Sequence, residues 1–156
     1  MDRTVKFFKL VVLIFSFNLI TACGGESNDD LPAFANPDAP EYRALYFFGA
    51  IYNERDIVKA QEHTTEKLSR IINSYGTARS YARYVLNLQL DPGVELKIDR
   101  SLNQVTTGKI DESSINILFT GKLNDNMVND VRRVNFRKIN GSWLIDSIDD
   151  DPYSKR

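Results

Sequence analysis

The spacing of apolar residues changes once along the chain, at residues 91–93, and this change constrains the fold more than any other feature. Upstream, for example over residues 44–51, apolar side chains recur every three or four positions, as on one face of a helix. Downstream, over residues 94–98, they alternate with charged side chains, as in a half-buried strand. Helices followed by an antiparallel meander predict an α+β domain, with amino-terminal helices packed on one face of a curved antiparallel sheet.

Capping signals predict where the first helix begins. Asp38 is suited to be its N-cap, Pro40 to stand in the first turn, and Glu41 to take the capping-box position. We therefore expect a helix over residues 39–53.

Three more helical segments follow the first one. Asp56 can cap a short second helix, and Thr64 or Thr65 can begin a third, which Gly76 would end. Residues 77–90 are expected to form a further helix that runs into an extended segment.

The residue pattern in the carboxyl-terminal part of the chain predicts three more strands. Alternating apolar residues indicate one strand around residues 115–119, and β-branched and aromatic residues indicate another over residues 131–139. Asn140-Gly141 is the strongest short-range hairpin signal, and a predicted strand over residues 142–148 follows it.

A different pattern occupies the amino terminus. Residues 1–9 carry three basic side chains, and residues 10–22 form a run of 13 residues without a charge. A transmembrane helix needs about 20 apolar residues, so this run is short for a permanent span. A basic start before a short apolar run is typical of an export signal, whereas the alternative of a buried helix would call for a polar face.

The only cysteine, Cys23, stands directly after this run. The stretch Ile20-Thr21-Ala22-Cys23 resembles the lipobox of bacterial lipoproteins: aliphatic, small, small, cysteine. The resemblance implies that the chain is cut before Cys23 and that the thiol carries lipid, which anchors the protein to a membrane. In that class an aspartate after the cysteine implies retention in the inner membrane, so Gly24 implies the periplasmic face of the outer membrane.

These signals divide the chain into four parts. We expect a signal peptide over residues 1–22, a lipidated flexible tether over 23–38, an α+β domain over 39–149 and a polar tail over 150–156. The tether is rich in Gly, Asp, Asn, Ser and Pro and shows no periodicity, which is typical of a flexible linker.

The layout of residues 39–149 resembles the nuclear-transport-factor-2-like superfamily, which includes ketosteroid isomerases and many small bacterial lipoproteins. The features that carry the resemblance are ALYFFGAIYNERDIVKAQEH, as paired opening helices, and FRKINGSWLIDSI, as the last hairpin. The resemblance implies a curved sheet that wraps around the helices and leaves a conical pocket. A compact cystatin-like domain is the structural alternative.

Candidate catalytic groups are few. His63 is the only histidine, so a multi-histidine metal site cannot form, and a cation at a helix carboxyl terminus is the simpler interpretation. Ketosteroid-isomerase relatives use an acidic base and a proton-donating tyrosine or aspartate in the cone. The acids that could serve here are Asp99, Asp111 and, on the last strand, Asp146. The tyrosines are Tyr42, Tyr46, Tyr52, Tyr75, Tyr81 and Tyr84. Tyrosines on helical faces are more often core or interface aromatics.

Two charged clusters have simpler explanations than ligand binding. The acidic run 149–151 lacks the spacing of a calcium loop, so we expect it to be solvated. A basic cluster consists of Arg132, Arg133, Arg137 and Lys138. It could meet phosphate or anionic lipid, but neighbouring strand residues point to opposite faces, so exposed edge charge is expected instead.

No motif identifies a reaction, a cofactor or a metal site. The formal net charge of −1, without a concentrated basic face, argues against nucleic acid as a partner. We predict a membrane-anchored cell-envelope lipoprotein that binds a small molecule or another envelope protein without catalysis. The alternative is an enzyme of the ketosteroid-isomerase or dehydratase type that uses Asp146 or a buried tyrosine in the cone, and a homodimer through the sheet is a third option.

Overall fold

The computed structural model describes residues 32–33, 35–99 and 110–150. The predicted signal peptide, Cys23, most of the tether and the end of the tail lie outside these residues, so the predictions made for them stay predictions. Within the described ranges, no helix combines the length and the apolar character that crossing a membrane requires.

The first helix, α1 (Pro40–Gly49), continues directly into a π-helix (Ala50–Glu54). Pro40 stands in the first turn as predicted, but the N-cap is Ala39, which makes no side-chain capping bond. The prediction of Asp38 as the cap was therefore wrong. A residue that precedes proline is forced out of the helical region, and Ala39 is indeed extended, with φ −92° and ψ 143°.

Three short helices follow: α2 (Ile57–Gln61), α3 (Glu66–Ser74) and α4 (Ala78–Tyr84). Each begins at a side-chain cap, because Asp56, Thr65 and Thr77 accept bonds from backbone amides of the first turn. The predicted cap of α2 is confirmed, and Thr65 rather than Thr64 caps α3. Gly76, with φ +72°, stands after α3 as predicted.

The sheet has four antiparallel strands in the order β1-β2-β3-β4. Their bounds are β1 (Glu95–Asp99), β2 (Glu112–Leu123), β3 (Asn126–Ile139) and β4 (Ser142–Asp149). The predicted hairpin turn is confirmed, because Asn140 and Gly141 both have positive φ, at 51° and 86°. Helices packed on one face of an antiparallel sheet confirm the predicted α+β class.

Aromatic side chains fill the space between α1 and the sheet. Phe48 packs edge-on against Phe119 of β2, with ring centroids 4.8 Å apart, and Phe47 packs edge-on against Phe48 at 4.9 Å. The inward residues of β2 and β3 that complete this core are Ile115, Ile117, Val134 and Phe136. The conical pocket is not confirmed, since side chains occupy this central space.

One irregularity reshapes the last strand. Asn135 pairs with Ser147, but the next residue of β3, Phe136, pairs with Ile145, so Asp146 is an extra residue on β4. The bulge resets the alternation, which lets both Ile145 and Ile148 contact the core.

The linker between α2 and α3 is fixed to the outer edge of β4. Ile145 donates its backbone N–H to the carbonyl of His63 at 2.9 Å, and its own carbonyl accepts from the amide of Thr65 at 2.8 Å. This short parallel pairing of Thr64 with Ile145 brings the start of α3 next to the bulge.

Candidate functional site

The predicted carboxylate Asp146 lies at the bulge, where both of its oxygens are engaged. Oδ1 accepts a hydrogen bond from the hydroxyl of Thr65 at 3.1 Å, and Oδ2 lies 3.4 Å from Nη2 of Arg137. Because Thr65 also caps α3, Asp146 joins the helical layer to the edge strand. This arrangement is a structural use of the carboxylate.

A shallow cleft of about 210 Å³ opens beside Asp146, and we call it the bulge cleft. Its lining residues are Glu112, Ser113, Ser114, Asn135, Phe136, Arg137, Asp146 and Ser147. Asn135 is central. Its side-chain NH2 group donates to Ser147 at 3.0 Å and to Asp149 at 2.9 Å, and its side-chain oxygen accepts from the Ser114 hydroxyl at 2.7 Å. The polar groups of this cleft therefore largely satisfy one another.

The tyrosines do not converge with the predicted acids. Tyr52 and Tyr81 are buried, and burial raises the pKa of both phenols above the ordinary value of 10. The Tyr52 hydroxyl donates to the carbonyl of Leu88 at 3.0 Å, which confirms a core role. Exposed positions are occupied by Tyr46, Tyr75 and Tyr84. Asp99 ends β1 and Asp111 lies in the exposed turn before β2.

His63 lies just beyond α2, beside the aromatic pair Tyr42 and Tyr46, whose ring centroids are 6.3 Å and 6.0 Å from its own. Burial lowers the pKa of this imidazole below its usual value, and the nearby charge of Arg43 lowers it further, against an opposing effect of Glu62. A neutral ring is therefore favoured at pH 7, and the interpretation as a helix C-terminal cation is not supported.

The predicted basic cluster is divided between the two faces of β3. Arg133 contacts Asn116 on one face of the sheet, whereas Arg132 points to the other face and is buried, with 7% of its surface exposed. Nε of Arg132 lies 2.8 Å from Asp130, and Nη1 lies 3.0 Å from Asp150. The split between faces is confirmed, but the expectation of exposed charge was wrong for Arg132, which is buried and pairs with Asp130 and with the exposed Asp150.

A second cleft, also of about 210 Å³, lies where the π-helix ends, and we call it the π-helix cleft. Four chain segments meet there: the π-helix, α4, the residues before β1 and the β2–β3 turn. Its buried floor is formed by Ile51, Tyr52, Ala82 and Leu90. Around the floor stand Arg55, Arg79, Gln89, Asp91, Leu123 and Asn124.

Specific hydrogen bonds hold the frame of the π-helix cleft. The side-chain oxygen of Asn53 accepts from the amides of Gly93 at 3.0 Å and Val94 at 2.8 Å, and its amide donates to the Val94 carbonyl at 3.1 Å. Within the lining, the Asp91 amide donates to the Lys122 carbonyl at 2.7 Å, and the Asp91 carboxylate accepts from the amide of Asn124 at 3.1 Å. The cleft is thus built on a frame that the fold fixes.

The charge of the π-helix cleft is positive. Neither Arg55 nor Arg79 has an ion-pair partner within the part of the chain that the structure describes. The sole acidic residue of the lining, Asp91, is engaged with a backbone amide. Sequence reasoning missed this site, since its two arginines stand 24 residues apart and only the folded path joins them.

A metal centre finds no support in residues 32–33, 35–99 and 110–150, which contain no group of three or more His, Cys, Asp or Glu side chains able to hold an ion.

Comparison with known proteins gives a fold likeness and no family. No protein-family model matches the chain, and no curated protein matches it. A solved structure with a similar fold is that of a SEC-C motif containing protein from Rhodopseudomonas palustris, determined in solution. It is 14% identical, the match covers 71% of this chain and 77% of that one, and the TM-score is 0.51. At this identity the likeness concerns the fold alone.

This finding corrects the recognition made from the sequence. The matching structure is described by its SEC-C motif, and neither the lipobox of bacterial lipoproteins nor the nuclear-transport-factor-2-like superfamily is supported by the comparisons. The recognition rested on the pattern of helices and strands and on four residues around Cys23. Such patterns recur in unrelated families, because many sequences satisfy the same packing rules.

Proposed function

We propose that this protein is a non-enzymatic binding module, held at a membrane by its amino-terminal segment, which takes a small ligand into the π-helix cleft. The observation that carries the proposal is a cleft in which buried apolar residues lie beneath convergent polar and charged side chains, on walls held by hydrogen bonds. Concave sites that combine apolar residues with convergent polar groups are places where proteins bind small molecules.

The floor of the cleft would supply affinity. Ile51, Ala82 and Leu90 belong to the hydrophobic core, yet they also line this cleft. An apolar group that covers them removes its own surface from water, which contributes roughly 25 cal/mol for each Å² buried. The side chains around the floor would orient the ligand.

The alternative is an enzyme that uses Asp146 or a buried tyrosine in a conical pocket. Asp146 bonds to Thr65 and Arg137 beside the bulge, whereas Tyr52 lies in the core and bonds to Leu88. No observation favours this alternative over ligand binding. Binding of another envelope protein and a homodimer through the sheet stay predictions.

The membrane part of the proposal rests on the residues of the amino-terminal segment and not on the withdrawn family assignment. Three basic residues, 13 uncharged residues and then the single cysteine would direct export and offer one thiol for lipid. A lipid anchor with two or more chains on Cys23 would hold the domain at the membrane, since one chain alone binds marginally. The proposed location is the cell envelope, with the periplasmic face of the outer membrane as its finer form.

Fractionation of cells that express the full chain tests the anchor. We expect the protein in the membrane fraction, with a mature mass that lacks residues 1–22 and includes lipid, and a Cys23→Ser variant that loses the lipid mass. An unmodified Cys23 in a chain that still begins at Met1 would refute the anchor.

NMR titration of the full chain in a non-ionic sugar detergent tests the binding site. With a mixture of small organic molecules, we expect the largest amide shifts at the floor of the π-helix cleft. A Leu123→Trp variant should fill the cleft and abolish these shifts, whereas Met127→Trp, on the same hairpin but 61% exposed and outside the cleft, should retain them. Shifts confined to the bulge cleft would contradict the proposal.

A further inference from the structure

We infer that the π-helix cleft selects an oxyanion, the carboxylate or phosphate group of a small organic molecule, which Arg55 and Arg79 bind together. This inference rests on the proposed function and names the chemistry of its ligand. It follows from the pairing of charges, the backbone at Arg55 and the apolar floor.

Several other cations of the described residues have an acidic partner, which Arg55 and Arg79 do not have there. Arg132 contacts Asp130 and Asp150, Arg137 contacts Asp146, and on the surface Lys59 contacts Glu54. Two guanidinium groups that line one cleft, and that have no acidic partner among the described residues, leave a concentration of positive charge. Arginine binds the planar oxygens of carboxylates and phosphates through two parallel hydrogen bonds, so an oxyanion is the complementary ligand.

The backbone at Arg55 gives an independent indication. Arg55 has φ 57° and ψ 32°, the left-handed conformation that glycine adopts most readily. Its position is fixed because both its own amide and that of Asp56 donate to the Ala50 carbonyl, which closes the π-helix. A strained conformation at a residue that bears a long cation, at the end of a π-helix, is a pattern associated with functional sites.

The floor defines the remainder of the ligand. Ile51, Ala82 and Leu90 give the cleft an apolar base, and the nonpolar part of a ligand that covers this base is removed from water. A volume of about 210 Å³ admits a compact molecule and not a long chain. We therefore expect an acid with an apolar part of a few carbon atoms.

A titration series with matched head groups tests this inference on the full chain in a non-ionic sugar detergent. Butyrate and butyl phosphate should shift the amides of the cleft, whereas butanol and butylammonium should bind at least about tenfold more weakly, since a neutral or cationic head group forms no charge-assisted bond to arginine. Inorganic phosphate should bind more weakly than butyl phosphate, because it leaves the floor exposed.

Two further probes distinguish the source of the oxyanion. Water-soluble dibutyryl phosphatidate represents a lipid head group, and butyl phosphate represents a free metabolite with the same phosphate monoester. Preference for the phosphatidate supports the inference with a lipid as source, and preference for butyl phosphate supports it with a free phosphate ester as source.

Variants at the two arginines identify the groups responsible. Arg55→Gln and Arg79→Gln should each weaken binding of butyrate by about tenfold, the usual effect of losing a charge-assisted hydrogen bond. Arg83→Gln, on the same helix as Arg79 but directed at the ring of Tyr84, should leave it unchanged. Arg55→Gly should weaken binding while it relaxes the backbone, and this combination separates loss of a ligand contact from damage to the fold.

The outcomes separate the inference from the proposed function. If butanol or butylammonium binds the cleft as tightly as butyrate, or if the arginine variants bind butyrate normally, the inference is wrong and the proposed function stands. If none of the probes shifts the amides of the cleft, both are overturned.

Discussion

Two arginines of the sheet and two arginines near the end of the π-helix differ in their ion pairing. In the sheet, Arg132 and Arg137 are paired with aspartates, Arg132 as a buried side chain and Arg137 beside the bulge, while Arg133 contacts the amide of Asn116. At the end of the π-helix, Arg55 and Arg79 line a cleft and have no such partners within residues 32–33, 35–99 and 110–150. The two clefts have the same volume, so volume does not distinguish them, whereas the state of the charges does. Paired charges stabilise a fold, and unpaired charges around an apolar floor remain free to bind a ligand.

The largest effect should follow from breaking the buried pair of the sheet. Asp130→Ala should lower the free energy of unfolding by about 3 kcal/mol, because it leaves Arg132 buried with only the exposed Asp150 as counter-ion. Urea unfolding measures this loss. The double variant Asp130→Ala, Arg132→Met should recover most of it, since removing both charges removes the desolvation cost. A loss below about 0.5 kcal/mol would show that Arg132 is stabilised by other contacts.

A smaller loss in the free energy of unfolding is expected for a substitution at the bulge. Asp146→Ala removes the acceptor of the Thr65 hydroxyl and of Arg137, and should cost about 1–2 kcal/mol in urea unfolding. Glu95→Ala is the matched control, because its ion pair with Lys97 is exposed and should cost less than about 0.5 kcal/mol. Equal effects of the two variants would contradict the structural role assigned to Asp146.

At the π-helix cleft, a substitution should raise the free energy of unfolding instead of lowering it. Arg55→Gly should raise the free energy of unfolding by about 0.5–1 kcal/mol, because glycine adopts positive φ without strain and no ion pair is lost. The same exchange at Arg79, inside α4, should lower it by about 0.5–1 kcal/mol, the ordinary cost of glycine in a helix. Thermal unfolding of both variants measures the difference, and a loss of stability at position 55 would mean that Arg55 has a structural contact.

The smallest effect concerns His63, which lies where the helical layer meets β4. Because its pKa is lowered in the folded protein, the unfolded chain binds more protons near the ordinary value of about 6.5. Stability should therefore be fully present above that pH and should fall as the pH drops through it. A His63→Gln variant should show a flatter dependence between pH 7.5 and 5.5 in urea unfolding, and an unchanged slope would assign the dependence to other groups.

Local signals in the sequence predicted much of the fold. Asn140-Gly141, Asp56 and Gly76 each determine a turn or a helix end through their own backbone or side chain, so no distant contact is needed to place them. The N-cap of α1 was misplaced because the effect of Pro40 on the preceding residue outweighed the capping preference of Asp38. The β2–β3 turn, where Asn124 and Asp125 have positive φ, lacked the glycine that marks such turns most clearly.

The candidate site could not be predicted in the same way. Arginines at positions 55 and 79 look like ordinary surface charges until α4 and the π-helix come together, and the burial of Arg132 depends on aspartates at 130 and 150. Such features arise from long-range packing, which brings together residues that are far apart in sequence. The alternation on β4 is interrupted by a bulge at Asp146, an acid that a regular strand would place on the same face as Leu144 and Ile148, and this pattern left open a slip of the alternation or an exposed edge.

The pairing of Thr64 with Ile145 also bears on self-association. An open strand edge is a template on which another chain can add a strand, and repeated addition leads to aggregates. Because the linker before α3 already occupies both backbone groups of Ile145, an incoming strand would have to displace it. Loosening this linker should therefore make the protein more prone to form fibrils well before it unfolds.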